Sequence, residues 1–185
     1  MKLQIRNLLI CVLATTGGSY AKVACVEAKV LLSSFTVRRG SQVFAPLAEA
    51  TDRNPSLQVR LAVNVGRDSD LSTPEHKILV RFAEGFWQHH WPWPRRPTVY
   101  YDPRALSTDP ALCASLHAKC IVVDDEAAFV TSANFTEWAQ ERNLEAGVLI
   151  RDEGFARSLR NQFESLIAAS RLRVLPGSGS EHGAS

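Results

Sequence analysis

The chain has 185 residues, 45% of them hydrophobic and 22% charged, with a formal net charge of +2 and a pI near 8.4. That length suits one domain with a full core, and the composition is ordinary for a globular protein. The charge balance excludes a strong overall field, so any nucleic-acid binding must come from local basic patches.

In chain order, residues 1–27 come first. Lys2 and Arg6 precede the apolar run Leu8 to Ala14, with Gly17 and Gly18 after it. The run reads as an N-terminal core helix stopped by the glycines, which goes with a cytoplasmic protein. The alternative is a secretory signal, which would make the protein secreted or periplasmic. It is too short for a transmembrane anchor, so no integral membrane association is expected. A strand is predicted over 30–37, with Ser33 and Ser34 inside it. A helix follows over 42–51, where Pro46 favours a later start. Leu57, Val59, Leu61 and Val63 alternate through a predicted strand over 57–65. Residues 66–74 form a polar loop, and Pro74 suits the first turn of a helix running to about 89.

Three prolines keep 91–97 irregular. Short strands are predicted over 98–101, 116–123, 127–134 and 144–150, and a helix over 153–170. The Gly- and Ser-rich tail, 176–185, reads as flexible. Strands separated by helices predict an α/β fold, a mixed sheet flanked by helices on both faces, occupying 28–175. Four cysteines (Cys11, Cys25, Cys113 and Cys120) lack metal-ligand spacing, and Cys120 reads as a buried thiol in a reducing compartment.

The chemistry is concentrated in one stretch: His117, Lys119, Asp124, Thr131, Ser132 and Asn134. If 116–123 is a strand, His117 and Lys119 share a face, while Asp124 has the opposite parity and sits at the strand end. Ser132 and Asn134 share a face of the returning strand. An imidazole, an ammonium and two neutral hydrogen-bonding side chains converging on one point would suit an oxyanion such as phosphate. A lone His-x-Lys more often marks a solvated strand edge; the added Asp, Ser and Asn at fixed offsets favour the site.

This stretch resembles the HKD motif of the phospholipase D superfamily, H-x-K-x4-D-x6-G-S-x-N, with Thr131 in place of the usual glycine. Glu145 matches the acidic residue that orients the nucleophilic histidine in that superfamily. Looser segments are similar to the phospholipase D-like subgroup of bacterial DISARM antiphage defence systems. They are Trp91 to Pro97, Val99 to Arg104, and Gln140 to Ile150. Superfamily members combine two HKD motifs in one site, and this chain has one. The resemblance therefore implies a single-HKD homodimer in which two copies of His117 meet over the substrate.

It further implies metal-independent phosphodiester cleavage through a phosphohistidine, with no cofactor. His117 would act as nucleophile in one copy and as acid in the other. Lys119, Ser132 and Asn134 would bind the phosphate, Glu145 would fix the imidazole, and Asp124 would complete the motif, more as a brace than as a contact. Nucleic acid is the expected substrate, with Arg95 and Arg96 near Trp93 as binding residues and other defence proteins as partners. Arg38 with Arg39, and Arg171 with Arg173, are further basic patches. A lipid phosphodiesterase is the first alternative. The second is a catalytically weak dimeric accessory protein that binds nucleic acid or partners, a reading kept open by Thr131. Metal binding by His89 and His90 is disfavoured, since no carboxylate or thiol lies nearby in sequence.

Overall fold

The computed structural model describes residues 29–67, 71–136, 139 and 142–179. The expected N-terminal helix or signal, residues 180–185 of the tail, and residues 137, 138, 140 and 141 lie outside the described residues.

Seven strands form one mixed sheet in the order β8-β6-β5-β1-β3-β4-β9. Its centre is parallel: β1 (Lys29–Ser34), β3 (Gln58–Val63) and β4 (Thr98–Tyr101) run side by side. On one flank β5 (Cys120–Val123), β6 (Ala127–Thr131) and β8 (Gly147–Ile150) continue antiparallel, and β9 (Arg173–Val174) closes the other flank. Two short strands, β2 (Val37–Arg38) and β7 (Phe135–Thr136), pair separately.

Strand alternation builds two cores. Val30, Leu32, Leu61 and Val63 face one side of the sheet. They pack with residues from α1 (Gly40–Val43), α2 (Ala45–Arg53), α3 (Glu75–Gly85) and a π-helical turn over Phe86–His90. Leu31, Ala62, Val122 and Ala128 face the other side, under Ala156 and Phe163 of α4 (Glu153–Ala168). Helices thus cover both faces, as the alternating strand and helix signals predict. Each fully buried Leu or Phe contributes about 1.5–3 kcal/mol of burial free energy.

Several boundaries differ from the sequence reading, and polar side chains explain most of them. The strand predicted over 30–37 stops at Ser34, whose Oγ donates to Thr36 O (2.8 Å) and accepts from Phe135 N (3.0 Å). The strand predicted over 116–123 begins only at Cys120. Upstream, Asn64 Oδ1 accepts from Leu116 N (3.1 Å) and Ser33 Oγ donates to Ala118 O (3.1 Å), so side chains replace ladder partners. The returning strand ends at Thr131, whose hydroxyl accepts from Ala133 N (3.0 Å). The strand over 144–150 shortens to Gly147–Ile150.

The helix predicted over 42–51 divides into α1 and α2 at Phe44, and Pro46 lies in the first turn of α2. Pro74 caps α3 rather than opening it. The strand β9 went unpredicted. The tail expected to be flexible is bonded through Gly179: Trp87 Nε1 donates to Pro176 O (2.8 Å), and Gly179 N donates to Pro97 O (3.2 Å).

Asp124 and Asp125 turn β5 into β6 with φ of 52° and 60°, a left-handed conformation that Asp tolerates better than most residues. No helix among the described residues is long and apolar enough to cross a membrane.

Candidate active site

The site lies where β1 and β3 end and β5 begins. It is assembled by polar residues buried in an apolar sheet. Ser33 and Ser34, both almost fully buried, occupy the last two positions of β1. Ser33 holds the backbone between His117 and Lys119 through Ala118 O. Ser34 holds the backbone just after Asn134 through Phe135 N. Two adjacent hydroxyls at the end of an apolar strand were the legible signal for this scaffold, and the sequence reading noted them without assigning a role.

Upon this frame Lys119 folds back over His117. Its Nζ lies 3.2 and 3.3 Å from the two ring nitrogens and donates to His117 O at 2.8 Å. The Phe35 ring packs at 4.7 Å from the imidazole, tilted by 55°, and lies 5.6 Å from the Lys119 ammonium. A π face so placed favours positive charge beside it. His117 is exposed, so this packing limits its rotation without closing it from a ligand. Burial pulls the Lys119 ammonium below the ordinary lysine value, while the Glu145 charge opposes that shift.

On the facing turn, Asn134 Oδ1 accepts from Thr36 N (3.2 Å). This commits its oxygen to the backbone and leaves its N–H groups as the donors a ligand would meet. Ser132 Oγ donates to Glu145 Oε2 at 2.5 Å and accepts from Ala146 N at 3.1 Å. Asn143 Nδ2 donates to the other Glu145 oxygen at 3.0 Å. These two hydrogen bonds, Ser132 first, hold the Glu145 carboxyl below the usual carboxylate range.

The sequence reading gave Glu145 a direct hydrogen bond to His117. Here its oxygens accept from Ser132 and Asn143, so within one chain it braces the turn at Ser132 and acts through charge on Lys119. Thr131, which stands where the motif usually has glycine, has no positive φ. Its Oγ1 donates to Ala146 O (3.1 Å), and a Cβ on the facing Gly147 would come within 3.0 Å of Thr131 Cβ and 2.6 Å of the Phe129 ring. The room usually supplied by a glycine at 131 is supplied across the strand pair.

His117, Lys119, Ser132 and Asn134 border one cleft of about 610 Å³; the rest of its wall comes from Thr131 and from Ala118, Cys120, Val130 and Leu159, which are apolar. Cys120 is buried and its thiol is pushed up to about 12, so it is no nucleophile at neutral pH.

Three expected site residues are not brought to this cleft. Asp124 stands at the other end of β5, roughly 16 Å along the strand from Lys119. Its Oδ1 accepts from Lys29 N at 2.5 Å and its N donates to Lys29 O at 2.9 Å, a brace between strands. Desolvation raises its carboxyl above the ordinary value, against the hydrogen bond from Lys29. Arg95 and Arg96 precede β4, at the opposite end of the parallel strands and three strands away. Arg95 donates to Pro55 O (3.0 Å), while Arg96 donates to Gly177 O (3.1 Å) and lies 4.8 Å above the Trp87 ring.

Trp91 is fully buried and Trp93, half-buried, packs edge-on against it at 5.4 Å, so both rings are committed to packing within the chain. Arg173 sits on β9, four strands from β5 or about 19 Å. Among the described residues no group of three or more His, Cys, Asp or Glu could hold a metal, and His90 Nδ1 already accepts from Gly40 N (3.2 Å).

A mixed α/β sheet carrying one His-x-Lys segment against a Ser-x-Asn turn defines a protein of the phospholipase D superfamily. Residues 26–167 match the family described as cardiolipin synthase, PLD-like domain, and the chain belongs to that family. Over 48 residues it is 46% identical to cardiolipin synthase 2 of Staphylococcus epidermidis, covering 26% of this chain and 10% of the relative. Over 59 residues it is 39% identical to cardiolipin synthase B of Escherichia coli K12, covering 32% and 14%. The chain thus spans only a small part of the curated relatives it matches. Among solved structures, NucT from Helicobacter pylori aligns with a TM-score of 0.50 at 12% identity, over 76% of this chain and 79% of that one. Nuc from Salmonella typhimurium, a phospholipase D family member, aligns with a TM-score of 0.48 at 18% identity over 89% of both chains. The NucT likeness supports the fold alone.

Proposed function

We propose that this chain is an HKD-type phosphodiesterase that cleaves nucleic acid in a homodimeric site, through a phosphohistidine intermediate. The observation that carries the reading is the direct apposition of His117 and Lys119 on an open cleft edged by Ser132 and Asn134. Each chain supplies one such imidazole, and the reaction needs two. A neutral His117 attacks phosphorus, and the N–P bond forms as the bond to the leaving oxygen breaks. The partner's protonated His117 gives its proton to that oxygen. The same imidazole, now neutral, takes a proton from water. That water attacks phosphorus, the N–P bond breaks, and the first His117 is released. The two Lys119 ammoniums and the Asn134 amides hold the nonbridging oxygens, while Ser132 and Asn143 keep Glu145 ionised beside them. The setting implied by the resemblance to DISARM proteins is antiphage defence alongside other defence proteins.

A lipid substrate is the second reading. The apolar wall of Cys120, Val130 and Leu159 favours it, because acyl chains need such a surface. The test is hydrolysis of labelled DNA, labelled RNA, a small phosphodiester dye and phosphatidylglycerol by the wild type and by His117→Ala. Cleavage of DNA or RNA that disappears in the variant is expected. Cleavage of lipid alone would replace the first reading with the second, and equal traces from both proteins would reject catalysis.

A further inference from the structure

We infer that Arg38 and Arg39, carried on the β2 arm beside the cleft, form the surface that tracks the phosphate backbone of the substrate; this rests on the nuclease reading above. The arm follows directly from Phe35 and Thr36, whose contacts are His117 and Asn134. Chain reach limits the Cα atoms of Arg38 and Arg39 to about 11 and 14 Å from that of Phe35. Arg38 is also the register partner of Thr136, two residues after Asn134. Both arginines are exposed. A polymer whose scissile phosphate rests between His117 and Asn134 would therefore pass them with its neighbouring phosphates.

The arm is fixed at both ends. Val37 pairs with Phe135 on one side. On the other, Gly40 N donates to His90 Nδ1, and a side chain at Gly40 would meet His90 Cβ at 2.7 Å. Arg39 joins the two in a left-handed conformation, φ 47° and ψ 43°, without a capping hydrogen bond from its side chain. Glycine or asparagine would adopt that conformation with less strain, so an arginine here carries a backbone cost. Guanidinium groups suit the task because their planar donors match phosphate oxygens. The chain's small net charge makes such a local patch necessary for backbone binding.

The test uses the full chain in a His117→Ala background, so that substrate persists. Binding of fluorescent single- and double-stranded oligonucleotides, and of phosphatidylglycerol vesicles, is titrated against salt for Arg38→Gln with Arg39→Gln, and for Arg95→Gln with Arg96→Gln. Arg38→Gln with Arg39→Gly is a second form of the first variant that relieves the backbone. Loss of two phosphate contacts should weaken binding about tenfold at low salt and reduce the slope of log K against log salt by about 1.4 on single strands or about 1.8 on duplex. In the active background, the preference in kcat/KM for an oligonucleotide over the small diester dye should fall about as much. The Arg95 and Arg96 pair should leave the slope unchanged.

An unchanged slope in both Arg38 and Arg39 variants, with oligonucleotide binding intact, overturns the inference and leaves the nuclease reading standing. Loss confined to anionic vesicles, with oligonucleotide binding intact, also overturns it and assigns the pair to a membrane surface. Wild type that neither binds nor cleaves oligonucleotides sinks both.

Discussion

The two ends of the sheet handle charge in opposite ways. At the end where β1 and β3 begin, Arg160 Nε pairs with Asp125, Arg60 Nη1 pairs with Glu164 at 2.5 Å, and Asp124 clamps Lys29 N. Charge there is met mostly by the protein, and its work is to tie a helix and a turn to the strands. Arg160 Nη2 is the exception, buried with no partner among the described residues. At the end where β1 and β3 finish, Lys119 rests on an imidazole and an aromatic ring instead of a carboxylate, and Asn134 turns its donors outward. A cation held by rings and a backbone carbonyl, with Glu145 acting on it through charge but not as a hydrogen-bond partner, remains available to an anion, which is the physical mark of a binding site.

The sharpest break of this contrast is His117→Gln at the site end. Diester turnover should fall by about a thousandfold or more, the range for losing a nucleophile and its acid partner together. Thermal unfolding should barely move, because His117 is exposed. Activity within tenfold of wild type would remove the basis for calling this end catalytic.

Next in size is Ser132→Ala. It takes away the hydrogen bond that most lowers the Glu145 carboxyl. Glu145 should then titrate closer to an ordinary glutamate. A depressed carboxylate contributes above its ordinary range and loses that contribution as pH falls through the depressed value. The acid limb of the rate profile should therefore move to higher pH, with kcat down about tenfold. Glu145→Gln should act on the other limb. Without that charge Lys119 falls further below the ordinary lysine value, and the alkaline loss of phosphate binding begins at lower pH. Profiles that keep their shape would reduce these residues to scaffolding.

At the opposite end, Asp125→Ala should lower stability by about 2 kcal/mol, because it strands a guanidinium that is nine-tenths buried while Asp125 itself is partly solvated. Denaturant unfolding measures the loss, and turnover per folded molecule should hold. Smallest is Asp124→Asn. Asparagine tolerates the left-handed turn and keeps the acceptor for Lys29 N. The raised Asp124 carboxyl favours the fold below its ordinary range and loses that advantage as pH rises through the raised value. The variant should therefore gain stability relative to wild type as pH rises, within about 1 kcal/mol. A large loss of turnover in Asp124→Asn would show that the two ends are coupled.

How much was legible depended on the range of the signal. The apolar alternation in β1 and β3, the strand at Thr98–Tyr101 and the helix from Glu153 could be read directly, because burial on one or two faces leaves a period in the sequence. His117, Lys119, Ser132 and Asn134 could be read because their offsets lie within one hairpin. Glu145 was found by resemblance, and its partners Ser132 and Asn143 came only from the structure. Thr131 kept a catalytically weak reading open because the facing Gly147 lies on another strand. Arg95 and Arg96 looked like a substrate patch because adjacency to tryptophans is visible in sequence, whereas the buried state of Trp91 is not. Arg38 and Arg39 were read as one basic patch among several, since nothing local says that β2 returns beside Asn134.

The sequence by itself determined most of the kinds of element and the chemical groups of the candidate site, because periodicity and residue type are local properties. Only the tertiary structure decided which charges meet a partner and which wait for a ligand. That choice depends on strands far apart in the chain reaching the same end of the sheet. Ser33 grips Ala118 across 85 positions, and Ser34 grips Phe135 across 101. Such pairings are fixed by the packing of the whole sheet, and no window of the chain contains them.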